Sequence, residues 1–391
     1  MMVLKFIVKK NFYFTFFEQQ VVPHFYKGVI NKNIELPLSE YSPNVNQAVK
    51  TLVTCIELFP TYFIPKIEIP TDYKIKKIFR VKGYCIYINN VKNIDSYIQA
   101  NFKPNLRTSL RRRIKGLETS FDIRYKLFYG QIGRNDYEFL MQALYDMLVR
   151  RFNQRDDKHE SLLRWDSYYD SVFNLINEKQ ASLYVIYDDQ KPIQISLNYH
   201  YDKIVFLAIP SYDIDYAKFG LGNIAVHKLL EWSITNNYEI LDMGFGAFDY
   251  KLKWCNHNYD FENHLFYKKN SITATIIIHY IALKTQLLNY LISKGVNVQY
   301  HKIKSLFSKK HDTGELEYQV DESKKAMTDH LGLEHIDVIN DTSYAFLKKS
   351  VNDFLYTNLE HISNIEVYEV KKDESYLIKG QKNTQKIVFK S

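Results

Sequence analysis

The chain has 391 residues, of which 46% are hydrophobic and 25% charged, with a formal net charge of +8. This is the composition of a globular, core-forming chain and excludes a disordered or disulfide-stapled one; the length holds two or three units of ordinary domain size. The positive charge is spread along the chain rather than held in a tail, which permits an anionic partner without demanding one.

The only cysteines, Cys55, Cys85 and Cys255, are scattered. They make neither a disulfide framework nor a metal motif, so no metal is expected and a reducing cytoplasm fits best. In the opening stretch MMVLKFIVKKNFYFTFF, Lys5, Lys9 and Lys10 interrupt what a signal peptide would keep apolar, and no small-residue cleavage site follows. The longest apolar run, Ile272–Leu283, contains His279 and is too short to span a bilayer; peripheral membrane contact is left open. No internal repeat or low-complexity tract is visible.

Residues 1–94 read as mixed α/β. Val3–Val8 alternates as a strand, Asn46–Phe59 has apolar positions at helical spacing (Val49, Leu52, Val53, Ile56), and Lys77–Val81 and Tyr84–Ile88 read as strands around Gly83. Asp95–Leu117 reads as a helix. Phe102, Leu106, Leu110, Ile114 and Leu117 form its apolar stripe, and Pro104 suits a first turn. Arg107, Arg111 and Lys115 form a parallel basic stripe flanked by Arg112 and Arg113, which reads either as an anion-binding face or as a solvated one.

Phe121–Tyr129 reads as a strand, Asn135–Phe152 as a helix, Gln154–Arg164 as a polar loop and Trp165–Glu178 as a helix. Ser182–Tyr187, Lys191–Tyr199 and Lys203–Ile209 follow as strands, the last closed by Pro210. Then comes AKFGLGNIAVHKLLEWSITNNYEILDMGFGAFDYKLKW, Ala217–Trp254. Gly220 and Gly222 permit a tight turn. Ile224, Val226, Leu229, Leu230 and Ile234 recur at helical spacing, and Asn236 or Asn237 suits a left-handed cap. Tyr238–Met243 is a short apolar strand broken by Gly244-Phe245-Gly246. A glycine turn opening a helix presents backbone N–H groups at the positive end of the helix dipole, where anions bind.

His257–Lys268 reads as a strand and Ile272–Ile292 as a helix. His301–His311 is a basic, polar linker. Beyond it, Ser343–Ile362 reads as a helix, and Ile365–Val370, Tyr376–Lys379 and Lys386–Lys390 as a small antiparallel sheet. This tail reads as a docking or oligomerisation module.

The order strand, strand, strand, glycine turn, helix, strand, with A-x-x-G-x-G between third strand and helix, resembles the core of the GNAT N-acyltransferases. The later D-x-G-x-G-x-x-x-Y-K (Asp242, Gly244, Gly246, Tyr250, Lys251), followed by Trp254, resembles more narrowly the cellulose-biosynthesis-type branch, which is related to the Fem aminoacyl transferases of peptidoglycan cross-bridges. The resemblance covers roughly Asp95–Lys269. The family usually places Gln or Arg at the first position of the turn motif, where this chain has Ala217 with Lys218 beside it.

The resemblance implies an α+β GNAT fold with two GNAT-like halves in tandem: a degenerate half over 1–94 and the acyltransferase core over 95–270. A helix and linker over 271–311 and a small α+β module over 312–391 would follow. It implies acetyl-CoA or another acyl-CoA as co-substrate, with the pantetheine beside Leu207, Ala208 and Ile209. The pyrophosphate would lie on Lys218, Gly220, Leu221, Gly222 and Asn223. Arg107 and Arg111 would hold phosphates of the CoA or of a nucleotide-linked acceptor.

Thioester chemistry needs the acceptor ammonium deprotonated, the carbonyl oxygen stabilised and the departing thiolate protonated. Asp242 is the first choice for a general base or acceptor-orienting group; equally, it caps the glycine bend. Tyr250 is the candidate acid and Asp249 an orienting group, while Trp254 reads as a core anchor. Lys251, His200 and Asp213 are candidate acceptor contacts, each with a plain structural alternative.

The expected acceptor is an amine on a sugar or cell-envelope glycan precursor. A second reading is a Fem-like transferase drawing on aminoacyl-tRNA, motivated by the Arg-rich helix. A third is an inactive GNAT scaffold, motivated by Ala217.

Overall fold

The computed structural model describes residues 7–19, 21–31, 51–154, 160–246, 248–295, 318–321, 332–371 and 375–389. Its first part is strand-rich: β1 (Ile7–Asn11), a π-helical turn (Phe14–Glu18), β2 (Tyr26–Asn31), β3 (Val53–Pro60), β4 (Phe63–Ile67) and β5 (Tyr73–Tyr87). There follow α1 (Ile94–Asn101), α2 (Pro104–Ser120), β6 (Ile123–Phe128), α3 (Arg134–Asn153), α4 (Glu160–Leu163) and α5 (Trp165–Asn177). Next are β7 (Ala181–Asp188), β8 (Lys191–Tyr201), β9 (Ile204–Tyr212), a 3₁₀ turn (Ile214–Phe219), α6 (Leu221–Thr235), β10 (Ile240–Phe245) and α7 (Asp249–Trp254). The chain ends with β11 (His257–Lys268), α8 (Ile272–Ser293), β12 (Tyr318–Asp321), β13 (Leu333–Ile336), α9 (Lys348–Asn358), β14 (Glu366–Val370), β15 (Ser375–Lys379) and β16 (Thr384–Phe389). The fold is mixed α+β and GNAT-like.

The compact units are not serial. One collects Met1–Val91, Tyr199–Ala208 and Ser233–Lys309; the other collects Lys92–Asn198, Ile209–Trp232 and Lys310–Ser391.

In the first unit β1 runs parallel to β3, β3 antiparallel to β11, β11 to β5 and β5 to β10, and β10 runs parallel to the start of β9. β3 corrects the expected helix over Asn46–Phe59. Val53, Thr54, Cys55 and Ile56 are all buried, because the strand lies between two neighbours and both its faces are covered. A continuous apolar run of that kind reads equally well at helical spacing; its first residues, 46–50, lie outside the described residues. β5 is one long strand where two were expected. A Cβ at Gly83 would stand 2.4 Å from the Tyr259 ring and 2.7 Å from that of Phe261, so the glycine lets two rings cross the strand rather than turning it.

α8 lays Ala274, Ile277, Ile278 and Ala282 against Val53, Cys55, Ile78 and Leu265 of the sheet. β9 also differs from expectation: it continues through Pro210 to Tyr212, its pairing with β10 covering only Ile204 to Phe206.

In the second unit β6 pairs antiparallel with β7, and α3 and α5 bury Tyr137, Leu140, Leu144, Val172 and Ile176. The expected single helix over Asp95–Leu117 is two. α1 opens on an Asn93–Ser96 capping box, and Pro104 starts α2. α4 occupies part of the expected polar loop over Gln154–Arg164, whose residues 155–159 are not described. The tail forms a five-stranded sheet in the order β12-β16-β15-β14-β13. Its helix is shorter than expected because a 3₁₀ turn, Thr342–Leu347, precedes it and Leu359 ends it at φ 53°. The linker expected over His301–His311 lies outside the described residues.

Candidate active site

The glycine turn sits in the second unit. The 3₁₀ turn Ile214–Phe219 ends on Gly220 at φ 67°, and α6 starts at the next residue. A left-handed residue is needed there because the chain must reverse from one helical axis to another within a single peptide. The Gly220 carbonyl accepts from the amides of Asn223 (2.9 Å) and Ile224 (3.3 Å). The guanidinium of Arg113, on α2, lies against the turn: a Cβ at Gly220 would be 2.9 Å from its Nη1. The Arg113 Nε is buried with no hydrogen-bond partner among the described residues. A guanidinium beside a helix N-terminus is chemically matched to a phosphate oxygen through its terminal nitrogens, the Nε being covered by the fold.

The turn is braced by the tail. The Asn352 side chain of α9 donates to the Asp215 carbonyl at 3.1 Å, Lys218 lies 3.7 Å from Asp353, and the Tyr356 ring meets Phe219 edge-on at 5.2 Å. Arg112 lies over the Tyr356 ring at 5.4 Å. One face of α9 is therefore occupied by its own chain.

Asp242 belongs to the first unit and is wholly buried. Three phenols donate to its carboxylate: Tyr13 at 2.5 Å, Tyr62 at 2.8 Å and Tyr259 at 2.7 Å. The Gly244 amide donates to its Oδ1 at 2.7 Å. Burial pushes the Asp242 carboxyl up, against these four donors that pull it down. Burial beside this carboxylate pushes all three phenols well above the usual tyrosine range. The bend that follows has Gly244 at φ 69° and Gly246 at φ 92°. Lys251 donates from Nζ to the Phe245 carbonyl at 2.6 Å, and its burial lowers its pKa to about 8.

Residues 104–252 match the acetyltransferase (GNAT) domain family. No curated protein gives a significant match. Among solved structures, FemX aligns with a TM-score of 0.40 at 10% identity, over 56% of this chain and 73% of its own. A GCN5-related N-acetyltransferase from Sphaerobacter thermophilus aligns at 0.29 and 8% identity, over 56% and 61%. A conserved protein of unknown function from Bacteroides thetaiotaomicron aligns at 0.36 and 8% identity, over 51% of this chain and 64% of its own. At such overlaps none of the three decides a substrate.

The other residues expected in the GNAT site fall as follows. Leu207 and Ile209 are buried in β9, and Ala208 is half-buried. Leu221 is buried, while Gly222 and Asn223 are half-buried. Tyr250 is half-buried on α7 and stacks on Phe248 at 6.3 Å, and Asp249 is exposed in the first turn of that helix. Trp254 is 1% exposed, as expected of an anchor. Arg107 is held by Gln99, and Arg111 is exposed.

Asp213 is buried and accepts from Arg150 at 2.9 Å and Lys191 at 2.6 Å, while Arg150 also clasps Asp215 through both of its terminal nitrogens. Burial alone would raise the Asp213 carboxyl; the Lys191 charge and hydrogen bond, with help from Arg150, hold it below its usual value. With Arg150 and Lys191 it lines a cavity of about 530 Å³ walled by Phe139, Met147, Pro192, Tyr212 and Ile214.

His200 is buried, its Nδ1 2.9 Å from the Tyr238 hydroxyl, and burial lowers its pKa to about 3. It is neutral in the fold and takes a proton near pH 6.5 when unfolded. Stability therefore falls as pH drops from about 6.5 toward about 3, by up to about 1.4 kcal/mol per pH unit from this group. His200→Asn is expected to flatten the loss of melting temperature between about pH 6.5 and about pH 5, read from melts at stepped pH.

Sequence reading missed Tyr13, Tyr62 and Tyr259, Arg113 as a neighbour of the turn, and the tail helix as its brace.

Proposed function

We propose that the chain moves an acyl group, acetyl in the first instance, from acyl-CoA to an amine on a sugar or cell-envelope glycan precursor. The observation that carries this reading is the Gly220 turn opening α6 inside the GNAT-matching segment, with the Arg113 guanidinium laid against it. Arg113 supplies from α2 the positive group that Ala217 lacks. The amides of Leu221 and Gly222, with Arg113 and Lys218, hold the pyrophosphate, the Gly220 and Asn223 amides being already bonded to backbone carbonyls, and the pantetheine arm lies along Leu207, Ala208 and Ile209. The thioester is already activated, so no covalent enzyme intermediate is needed, and backbone N–H groups of β9 polarise its carbonyl.

The acceptor amine attacks in its neutral form, its ammonium proton having gone to water; Tyr250 protonates the departing thiolate and regains its proton from the nitrogen of the new amide, and Asp249 orients the acceptor. Asp242 acts through the bend it ties down, holding Gly244 and, through Phe245, Lys251 in place. The cavity lined by Phe139, Tyr212 and Asp213 suits an acceptor with an apolar body and a polar edge.

Mass spectrometry after incubation with acetyl-CoA and a pool of nucleotide-linked amino sugars tests the transfer; a mass gain of one acetyl group on an amino sugar is expected, and Tyr250→Phe should abolish it. Aminoacyl-tRNA retained in a low-salt gel shift, with no acetylated sugar formed, would move the assignment to the Fem-like class.

A further inference from the structure

α8 carries two apolar faces. The inner one, Ala274, Ile277, Ile278 and Ala282, is buried on the sheet of its own unit. On the opposite side Ile272, Ile276, Tyr280, Leu283, Leu287 and Tyr290 recur every three or four residues, and each is between 56% and 80% exposed among the described residues. At 100° per residue these side chains form one stripe along the whole helix. A soluble helix that packs one side on a sheet normally turns polar residues to water on the other; an uninterrupted apolar stripe of this size marks a contact surface.

The surrounding charge identifies what it contacts. Over the described residues 263–295 the chain holds four lysines, Lys268, Lys269, Lys284 and Lys294, none of them in an ion pair among the described residues, and no Asp or Glu. On the neighbouring strands Asp260 is paired with Lys82 at 2.5 Å, and Glu57 with Lys9 at 2.9 Å. An apolar stripe bordered by unopposed lysines matches a surface with an apolar interior and anionic headgroups. A second copy of the same face would bring lysine against lysine. No described helix is long and apolar enough to cross a membrane, so the fit is to a helix lying in the interface.

We infer that the outer face of α8 docks the protein on an anionic lipid bilayer, inserting Ile276, Tyr280, Leu283 and Leu287 among the acyl chains while the flanking lysines meet phosphate headgroups. This is independent of the acyl-transfer chemistry.

Co-sedimentation of the full chain with vesicles tests it, comparing phosphatidylcholine alone with phosphatidylcholine containing phosphatidylglycerol. Partition onto the anionic vesicles is expected to be at least about tenfold stronger and to fall steeply with salt. The variant Ile276→Ser/Leu283→Ser/Leu287→Ser should lose it with melting unchanged. Should that variant not fold, Tyr280→Trp reads the same contact: its emission should shift to the blue on anionic vesicles and not on neutral ones. Equal partition onto both vesicle types, binding that survives the triple substitution, or an unshifted Trp emission would overturn the inference. So would a concentration-dependent dimer in ultracentrifugation, lost in the triple variant, with no vesicle binding; the stripe would then belong to a second copy.

Discussion

Asp242→Ala is expected to be the most destabilising single substitution of a polar residue in the first unit, at about 3–5 kcal/mol. It leaves three buried phenols and one buried amide without their acceptor, and each orphaned buried group costs on the order of 1–3 kcal/mol before the cavity relaxes. Asp242→Asn keeps one carbonyl oxygen but turns an amide donor toward hydroxyls that are themselves donors, so it should lose about half as much. Tyr62→Phe removes one of the donors and should cost about 1 kcal/mol.

Thermal melts of the three variants, set against turnover, separate two roles for this carboxylate. A general base would give Asp242→Asn a wild-type melting curve and no turnover. A positioning residue gives it a lowered melting curve, with activity recovering as the temperature is reduced. The geometry supports the second, because the carboxylate is fully buried and already accepts from four donors.

Arg113→Ala is expected to weaken acetyl-CoA binding by at least about tenfold while leaving the melting temperature almost unchanged. A charge-assisted contact to a phosphate is worth about 1.5–3 kcal/mol, or tenfold and more. The folded protein loses little in exchange, since the buried Nε satisfies no partner. Lys218→Ala is the milder change at the same site. Its ammonium lies 3.7 Å from Asp353 on a half-exposed side chain, so the change should move affinity less than about threefold. Calorimetry on both variants reads the difference. Equal affinities in Arg113→Ala and the wild type would return the turn to a bracing role alone.

The legible parts of the fold were those with local signals. α3 has strict apolar periodicity, α8 is one long apolar run without a breaker, and the glycine turn, α6 and the Asn237 cap carry residues whose backbone preferences are strong; Asn237 does take φ 57°. β3 was not legible as a strand. Its burial comes from β1 and β11, on segments far away in sequence, and an apolar run covered on both faces has no period of its own. Gly83 looked like punctuation but is room for two rings.

In the candidate site, the motif around Asp242 was visible because its members are close in the chain. Tyr13, Tyr62 and Tyr259 were invisible for the converse reason. They come from the residue capping the π-helical turn, the β3–β4 connection and β11, and the sequence holds 32 tyrosines with nothing to single these out. The bracing of the glycine turn by Asn352, Asp353 and Tyr356 was hidden in the same way, since only folding brings the tail helix to it.

The acyl-carrier turn is tested most directly by titrating the full chain with acetyl-CoA in a calorimeter and repeating the titration with the desulfo analogue. Saturable, one-site heat that either ligand displaces, and whose affinity Arg113→Ala lowers by at least about tenfold, is the predicted result. Absence of heat and of competition at millimolar ligand would contradict it.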